Sequence, residues 1–327
     1  MSYLRAICLG EILFDCLADR VGTSREEVQN WTRFPGGALG NVASGLMKLG
    51  TPAAFIGCVG QDTDGEELVR LLQRLDVDCR GVQYHPTAPT REVYVLRQEN
   101  GDRLFADFGD RPADAFADAY LDSSQLPVEL FQAAEYLVIG TLELAYPQTR
   151  ESVFRALELA DEYYLKIVLD VNLRRMFWVN PQESYRLISS LWQAVDFIKF
   201  SGEEARYFFG TTDATTIFYE IDSAEGVIVT NGGSGNISYC LTDNSGAIAP
   251  FNIPVKDTTG AGDAFVAGLI HQFCQRGIGC LQDADMAREI VTYAAAVGAI
   301  ATTRSGAMNA QPTASEVDIF LQSVSSP

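Results

Sequence analysis

Short apolar runs alternate with longer stretches of helical periodicity over most of the chain. Residues 6–9 and 166–170 contain apolar runs of strand length, whereas Leu39, Val42 and Leu46 recur at the spacing of one helical face. Repeated units of this kind predict a mostly parallel sheet with helices on both faces, and therefore an α/β fold. Further strands are predicted at residues 53–59, 136–140, 197–200 and 226–230, and further helices at 68–75, 150–163, 181–194, 203–209, 262–276, 284–303 and 314–323.

Two segments place strand-like runs next to each other with no helix between them. In residues 91–110, the pair Asn100-Gly101 separates two such runs, which is a strong hairpin signal. This segment therefore predicts a small antiparallel flap beside the main sheet. In the second hairpin, residues 243–246 are expected to connect strands at 237–241 and 247–251.

Composition and charge exclude several classes of protein. The chain has 327 residues, of which 47% are hydrophobic and 20% are charged, and this composition is typical of one globular domain. Its net charge of −19 disfavours nucleic acid and anionic membrane surfaces as partners. No apolar run approaches a membrane span and no signal peptide is evident, so cytoplasmic localisation is expected. Scattered cysteines and only two histidines favour reduced thiols and give little support to a zinc site or a Ser-His-Asp triad.

The segment with the clearest chemistry is 257–265, which reads Asp-Thr-Thr-Gly-Ala-Gly-Asp-Ala-Phe and opens a predicted helix. Gly260, Ala261 and Gly262 would let a phosphate approach the unpaired N–H groups at a helix start, where the helix dipole favours negative charge. A carboxylate at Asp263 can take a proton from a hydroxyl that attacks phosphorus. Alternatively, Asp263 simply caps the helix, although a cap requires neither the glycines nor the second aspartate, Asp257.

A second glycine-rich segment, 36–43, reads Gly-Gly-Ala-Leu-Gly-Asn-Val-Ala. Paired glycines before a helix admit a ligand close to the backbone, and the Asn41 amide can both donate and accept hydrogen bonds. In this order, the two segments resemble the two signatures of the PfkB/ribokinase family of carbohydrate kinases. The resemblance implies an ATP-dependent kinase with a ribokinase-like, Rossmann-like three-layer fold. It further implies a single domain, 1–327, with a small antiparallel β lid at about 15–34 and 91–110.

The resemblance also implies a role for individual residues. Asp263 would be the catalytic base, beside an anion-binding helix start formed by Gly260, Ala261 and Gly262. The sugar would be bound by Asp15, Gly36, Gly37, Asn41, Arg111 and Arg174, with Arg111 at an altered spacing. Nucleotide binding would involve Lys199, Glu204, Thr230, Gly232, Gly235, Thr259, Ala295 and Gly298. Glu204 would hold Mg²⁺ through water, and Asp257 and Thr259 would hold a monovalent cation such as K⁺.

The molecule that receives the phosphate is the least determined part of this interpretation. Residues 9–15 and Trp178 are most similar to the fructokinase branch, which implies phosphorylation of D-fructose to fructose 6-phosphate. Another small sugar, a sugar acid or a nucleoside remain alternatives, as does a non-catalytic regulatory member of the family. A dinucleotide-binding oxidoreductase is disfavoured because Gly10-Glu11-Ile12-Leu13 replaces the expected Gly-x-Gly-x-x-Gly turn. Lid strands with exposed edges could pair two copies into a homodimer.

Overall fold

The computed structural model describes residues 3–97, 103–178 and 180–325. The strands are β1 (Ala6–Leu9), β2 (Leu13–Val21), β3 (Trp31–Gly36), β4 (Ala53–Gly60), β5 (Asp78–His85), β6 (Glu92–Arg97), β7 (Arg103–Asp107), β8 (Tyr136–Ile139), β9 (Lys166–Asp170), β10 (Phe197–Ser201), β11 (Gly226–Thr230), β12 (Ile237–Leu241) and β13 (Asn244–Ile248). The helices are α1 (Ala38–Leu49), α2 (Thr63–Arg74), α3 (Val128–Phe131), α4 (Pro147–Glu162), α5 (Pro181–Ser189), α6 (Gly202–Phe209), α7 (Ala214–Ile221), α8 (Ala261–Arg276), α9 (Ala284–Thr302), α10 (Ala307–Ala310) and α11 (Ala314–Ser325).

The main sheet is mostly parallel, as the strand–helix alternation predicts. Its strand order is β13-β12-β11-β10-β9-β8-β1-β4-β5. Each neighbouring pair from β11 to β5 is parallel, and the hairpin of β12 and β13 adds two antiparallel strands at one edge. All the parallel strands therefore end at the same edge of the sheet, which is where ligands bind in open α/β sheets.

Side-chain alternation along the strands builds a hydrophobic core on each face of this sheet. In β1, Ala6 and Cys8 join the core that contains α1, α8 and α9, whereas Ile7 and Leu9 join the core that contains α4 and α6. Because successive residues of a strand point to opposite faces, a fully apolar strand is required where helices cover both sides. Among the described residues, no helix combines the length and apolarity needed to cross a bilayer.

A second, smaller sheet has the order β3-β2-β6-β7. The pair β6–β7 is antiparallel with Arg97 opposite Arg103, as the Asn100-Gly101 hairpin signal predicts, although the turn itself, 98–102, lies outside the described residues. The pair β2–β3 is also antiparallel, but β2 and β6 are parallel. The parallel pair is possible because the chain crosses through α1, β4, α2 and β5 between these two strands.

The strands β13 and β5 and the helix α7 are among the elements that differ from the sequence-based expectations. The predicted strand at 247–251 is wrong, because β13 begins at Asn244, opposite Leu241, and Thr242 adopts a left-handed φ of 54° in the two-residue turn. Hydrogen bonds from the Thr242 hydroxyl and the Asn244 amide to the Leu281 carbonyl hold that turn in place. β5 and α7 have no counterpart among the predicted elements, because β5 is a partly exposed edge strand and α7 is short.

A buried arginine joins the small sheet to the body of the protein. Arg91, directly before β6, donates two hydrogen bonds of 2.6 and 2.7 Å to the Asp118 carboxylate. Four aromatic rings surround its guanidinium, with centroids 4.6–5.4 Å from Cζ. The Arg91 carbonyl also accepts from the Phe14 N–H of β2, so this residue fixes two strands of the small sheet. The rings belong to Phe108, Phe116, Tyr146 and Phe177.

Replacing Asp118 with alanine should lower the free energy of unfolding by about 3–5 kcal/mol, because the buried Arg91 charge loses its partner. Urea denaturation followed by circular dichroism measures the loss. Glu158→Ala, which breaks the exposed Arg155–Glu158 pair, is the matched control and should cost no more than about 1 kcal/mol. Equal losses in the two variants would contradict a special role for the buried pair.

Candidate active site

The first turn of α8 carries Asp263 at the edge where the parallel strands end. The helix is capped by Gly260, which has a left-handed φ of 72° and no side-chain capping bond. A Cβ at Gly260 would lie 2.7 Å from the Ala307 side chain, so glycine is required there on two grounds. Asp263 is the third residue of the helix and is not its N-cap, so the capping interpretation of this residue is wrong. The helix start is thus left with N–H groups available to an anion.

The Asp263 carboxylate is hydrogen-bonded to the second glycine-rich segment. Asn41, in the first turn of α1, donates from Nδ2 to Asp263 Oδ2 at 2.7 Å. Gly37, directly before α1, has a φ of 95°, and a Cβ there would lie 2.5 Å from the Glu11 carbonyl oxygen. The two segments, 222 residues apart at this contact, therefore meet at one point, as their shared resemblance requires.

The electrostatic surroundings of Asp263 suit a base that works near neutral pH. Burial raises the pKa of Asp263 to about 7, and the negative charge of Asp170 adds to this rise. The hydrogen bond from Asn41 and the positive charge of Lys199 act in the opposite direction on the pKa. A carboxylate with a pKa near the working pH can accept a proton and release it again.

Lys199 brings a positive charge to the same helix start. Its Nζ donates to Asp170 at 3.0 and 3.3 Å, and both side chains are almost fully buried. Burial alone would lower the pKa of Lys199, but the carboxylates of Asp170 and Glu204 raise it, so the ammonium stays charged. A Cβ on Gly262 would lie 2.9 Å from Nζ, which shows how closely this charge approaches the α8 backbone.

Two cavities meet at the start of α8. The first has a volume of about 520 Å³, and its lining includes Asp263 and Asn41. The second has a volume of about 350 Å³ and is mostly apolar, with Phe251, Ile253 and Ala295 in its wall. Because the cavities share four lining residues, two ligands bound in them would lie against each other at this helix start. The shared residues are Lys199, Ser201, Thr258 and Gly262.

Most of the residues predicted from the sequence line one of these cavities. Those in the first cavity are Asp15, Gly37, Asn41, Arg174, Lys199, Glu204, Thr259, Gly260, Gly262 and Asp263. Those in the second are Lys199, Thr230, Gly232, Ala261, Gly262, Ala295 and Gly298. Gly36 lies behind Asp15, since a Cβ on this glycine would meet Asp15 Oδ2 at 2.5 Å.

Arg111 and Gly235 line neither cavity. Arg111 is exposed and follows a turn in which the Gly109 N–H donates to Asp107 Oδ1, which directs this segment along the surface. Gly235 ends the short 3₁₀ segment at Gly232–Ser234, with its backbone against Asn231. The predicted ligand contacts of these two residues therefore have no geometric support in this structure.

Asp257 shapes the loop that precedes α8. Its Oδ1 accepts hydrogen bonds from the N–H and the hydroxyl of Thr259, at 2.9 and 2.7 Å, and its Oδ2 accepts from the Gly306 N–H at 3.0 Å. These bonds connect the loop before α8 to the segment before α10. The Asp257 carboxylate is thus a structural centre of the loop, whether or not a cation binds beside it.

Glu204 has a capping role at the start of α6, for which the Ser-x-x-Glu pattern of residues 201–204 was the available sequence signal. Its two carboxylate oxygens accept from the backbone N–H groups of Ser201 and Leu173, each at 2.7 Å. The Ser201 hydroxyl accepts from the Glu204 N–H in return, which completes a capping box at the start of α6. Each carboxylate oxygen retains a second lone pair, so a water-mediated contact with Mg²⁺ fits this side chain.

Other lining residues carry no motif that sequence analysis could use. Glu11 follows β1, Leu142 follows β8 and Asn172 follows β9, so the ends of the parallel strands were the available signal. Phe177 and Val93 form an apolar wall that depends on the placement of the small sheet. The wall of the second cavity at 250–255 belongs to no regular element.

Comparison with known proteins identifies the family. The sequence matches the pfkB family carbohydrate kinase over residues 4–314. The chain is 33% identical over 319 residues to "Probable fructokinase-2" of Arabidopsis thaliana, covering 97% of this chain and 95% of that protein. The chain belongs to the pfkB family of carbohydrate kinases. It is therefore a sugar kinase, and the resemblance drawn from its two glycine-rich segments is confirmed.

Solved structures of pfkB relatives confirm the ribokinase-like fold. A Xylella fastidiosa fructokinase with bound ATP superposes with a TM-score of 0.88 at 27% identity, covering 98% of this chain and 99% of that one. A double mutant of the Vibrio cholerae fructokinase, holding fructose, ADP and potassium ion, gives a TM-score of 0.82 at 28% identity, with coverage of 98% and 99%. The relatives of this pfkB kinase thus include fructokinases in both comparisons.

Replacing Asn41 with alanine should raise the pKa of Asp263 above its value of about 7, because the hydrogen bond that favours the ionised carboxylate is lost. A carbon-13 NMR titration of labelled aspartate carboxyl groups measures the change, with Asp263→Asn used to assign the signal. Asn180→Ala, which removes only the cap of α5, should leave the titration unchanged. A lowered or unaltered pKa in Asn41→Ala would contradict the assigned contact.

Proposed function

We propose that this sugar kinase transfers the γ-phosphate of ATP to the 6-hydroxyl of D-fructose, with Asp263 as the base. The observation that carries the proposal is the position of Asp263, hydrogen-bonded to Asn41 where the two cavities meet. A hydroxyl in the first cavity and a phosphate at the α8 start would both contact this one carboxylate.

The chemistry follows from the charges around that point. Asp263 accepts the hydroxyl proton as the sugar oxygen forms a bond to the γ-phosphorus and the bond to the ADP oxygen breaks. The N–H groups of the first α8 turn and the Lys199 ammonium lie where negative charge collects on the transferring group. Asp170 holds Lys199 in position, and Asn41 orients the base. Asp263 then returns its proton to solvent once the product has left.

The second cavity suits the nucleotide. Its polar rim at Lys199 and Thr230 adjoins an apolar wall that includes Phe251 and Ile253, so a phosphate end and a flat base can both be accommodated. Mg²⁺, which neutralises phosphate charge in such reactions, would be held by the nucleotide and by Glu204 through water.

The charge of the first cavity favours a neutral sugar over a sugar acid. Its sugar-facing part contains three carboxylates, Glu11, Asp15 and Asp263. Among the described lining residues, the basic ones are Arg174 and Lys199, and Lys199 is paired with Asp170. A substrate carboxylate would be repelled by these three carboxylates, whereas hydroxyl groups can donate hydrogen bonds to them.

A panel of acceptors tests the proposed function directly. The protein is incubated with Mg-ATP and, separately, with fructose, ribose, 2-keto-3-deoxygluconate and adenosine, and ADP release is measured. Fructose should give the highest kcat/KM, and the sugar acid should fall below the neutral sugars. A higher kcat/KM for the sugar acid or the nucleoside would overturn the assignment of the acceptor.

Asp263→Ala serves as the control for mechanism in the same assay. Without the base, turnover of every acceptor should fall by at least about 100-fold, the usual contribution of a general base, while binding of a non-hydrolysable ATP analogue is retained. Turnover that survives in this variant would reject Asp263 as the base without rejecting the kinase.

We also propose that a monovalent cation binds beside the loop that Asp257 and Thr259 form. Support comes from the three hydrogen bonds that fix the Asp257 carboxylate and from the potassium ion named with the Vibrio cholerae relative. Exchange of K⁺ for tetramethylammonium, which is too large for such a site, should lower kcat several-fold without changing the stability of the protein. Equal kcat in the two salts would argue against the site.

A further inference from the structure

Two buried glutamates lie side by side beneath the sugar cavity and have no place in the proposed chemistry. Glu11 follows β1 and Glu143 follows β8, and these strands are parallel neighbours in the main sheet, with Leu9 opposite Ile139. Glu11 is 6% exposed and Glu143 is 3% exposed. Glu11 lines the cavity, and Glu143 lies behind it, against the backbone of Gly10.

Among the described residues, one oxygen of each of these two carboxyl groups has no hydrogen-bond donor. Glu11 Oε1 accepts the Ala38 N–H at 2.6 Å. Glu11 Oε2 and Glu143 Oε2 are both buried and receive no donor from the described residues, although the two carboxyl groups lie close enough for a hydrogen bond between them. Two carboxyl groups can form such a bond only when one of them carries a proton.

We propose that Glu11 and Glu143 share one proton and that this acid pair is a positioning device for the catalytic base. The proton resides mainly on Glu143, whose pKa burial and the neighbouring Glu11 charge raise well above the usual range. Glu143 then donates to Glu11, and Glu11 remains the anion that accepts from Ala38. The pair carries one negative charge instead of two.

The pair reaches Asp263 by a short path through α1. Ala38 is the first residue of α1, and Asn41, one turn later, donates to Asp263. Holding Ala38 therefore holds the side chain that orients the base. A displacement of about 1 Å at such a position can cost on the order of 100-fold in rate.

The pair also acts on Asp263 through its charge. The charged groups that face the pair are Asp118, which opposes ionisation of both glutamates, and Asp263 itself. Those that face Asp263 are Asp170, Lys199 and Glu11. A second negative charge on the pair would raise the pKa of the base further and would reduce the fraction of enzyme that is ready to accept a proton at neutral pH.

The variant Glu143→Gln tests how many protons the pair of Glu11 and Glu143 holds. Glu143→Gln supplies an amide donor to an ionised Glu11, so the pair keeps a single negative charge and the same hydrogen bond. We expect kcat/KM for the sugar to stay within about threefold of the wild type, and the acid limb of its pH profile to stay in place. If the acid limb of this variant lies at higher pH than that of the wild type, the native pair is uncharged. If it lies at lower pH, the native pair carries two negative charges. Either result overturns the shared proton.

Two further variants test the action on the base. Glu143→Leu removes the donor to Glu11 and should lower kcat by about 10- to 100-fold, with the affinity for an ATP analogue unchanged, because the second cavity is not affected. The double variant Glu11→Gln with Glu143→Gln removes the negative charge and should move the acid limb to lower pH. Wild-type kcat in the leucine variant, or an unmoved limb in the double variant, would overturn the positioning role.

These kinetic tests rest on the proposed function, so a measurement independent of activity accompanies them. In an Asp263→Asn background, infrared spectroscopy at neutral pH should show the carbonyl band of a protonated carboxyl group. Glu143→Gln in that background should abolish this band. Absence of the band before the second substitution would overturn the shared proton, even in an active kinase. Its presence in a protein that phosphorylates no sugar would uphold the pair and reject the proposed function.

Discussion

The hydrogen bond between Asn41 and Asp263 is the contact on which the arrangement of the site depends. It requires the start of α1 and the start of α8 to approach each other, and small residues make this approach possible along the helices. A Cβ on Gly45 of α1 would lie 2.9 Å from the Ala267 side chain of α8. Helix packing at this distance brings the two glycine-rich segments into one unit. The junction of the two cavities at Gly262, next to Asp263, follows from that packing.

Buried carboxylates are the second constraint, and the protein compensates each in a different way. Asp118 is paired with a guanidinium, Asp170 with an ammonium, and Asp263 with a neutral amide. At Asp263, burial raises the pKa to about 7, and the hydrogen bond from the neutral Asn41 amide opposes that rise only in part. Of these three carboxylates, Asp263 is the one bonded to a neutral group, which suits it to accept a proton. In a chain with a net charge of −19, the location of each compensating charge matters more than the total.

Sequence patterns predicted the parts of the fold and site that are local in the chain. The helix at 262–276 and the strand at 226–230 could be located because their periodicity and glycine boundaries lie within a few residues. Glu11 could not be assigned a partner, because its contact with Glu143 arises from the order of strands in the sheet. The same holds for Arg91, whose aromatic surroundings come from four separate segments. The register error in β13 has a local cause, a left-handed threonine that sequence rules do not favour.

The small sheet and the loop before α8 are joined through one further contact. Phe34 of β3 packs on Gly306, where a Cβ would lie 2.9 Å from the Phe34 ring. The Gly306 N–H in turn donates to Asp257, which holds Thr259 directly before α8. The strand that leads into Gly37, which lines the first cavity, is thus in packing and hydrogen-bonding continuity with the loop before α8. Because packed contacts of this kind resist independent movement, the two halves of the site share a single geometry.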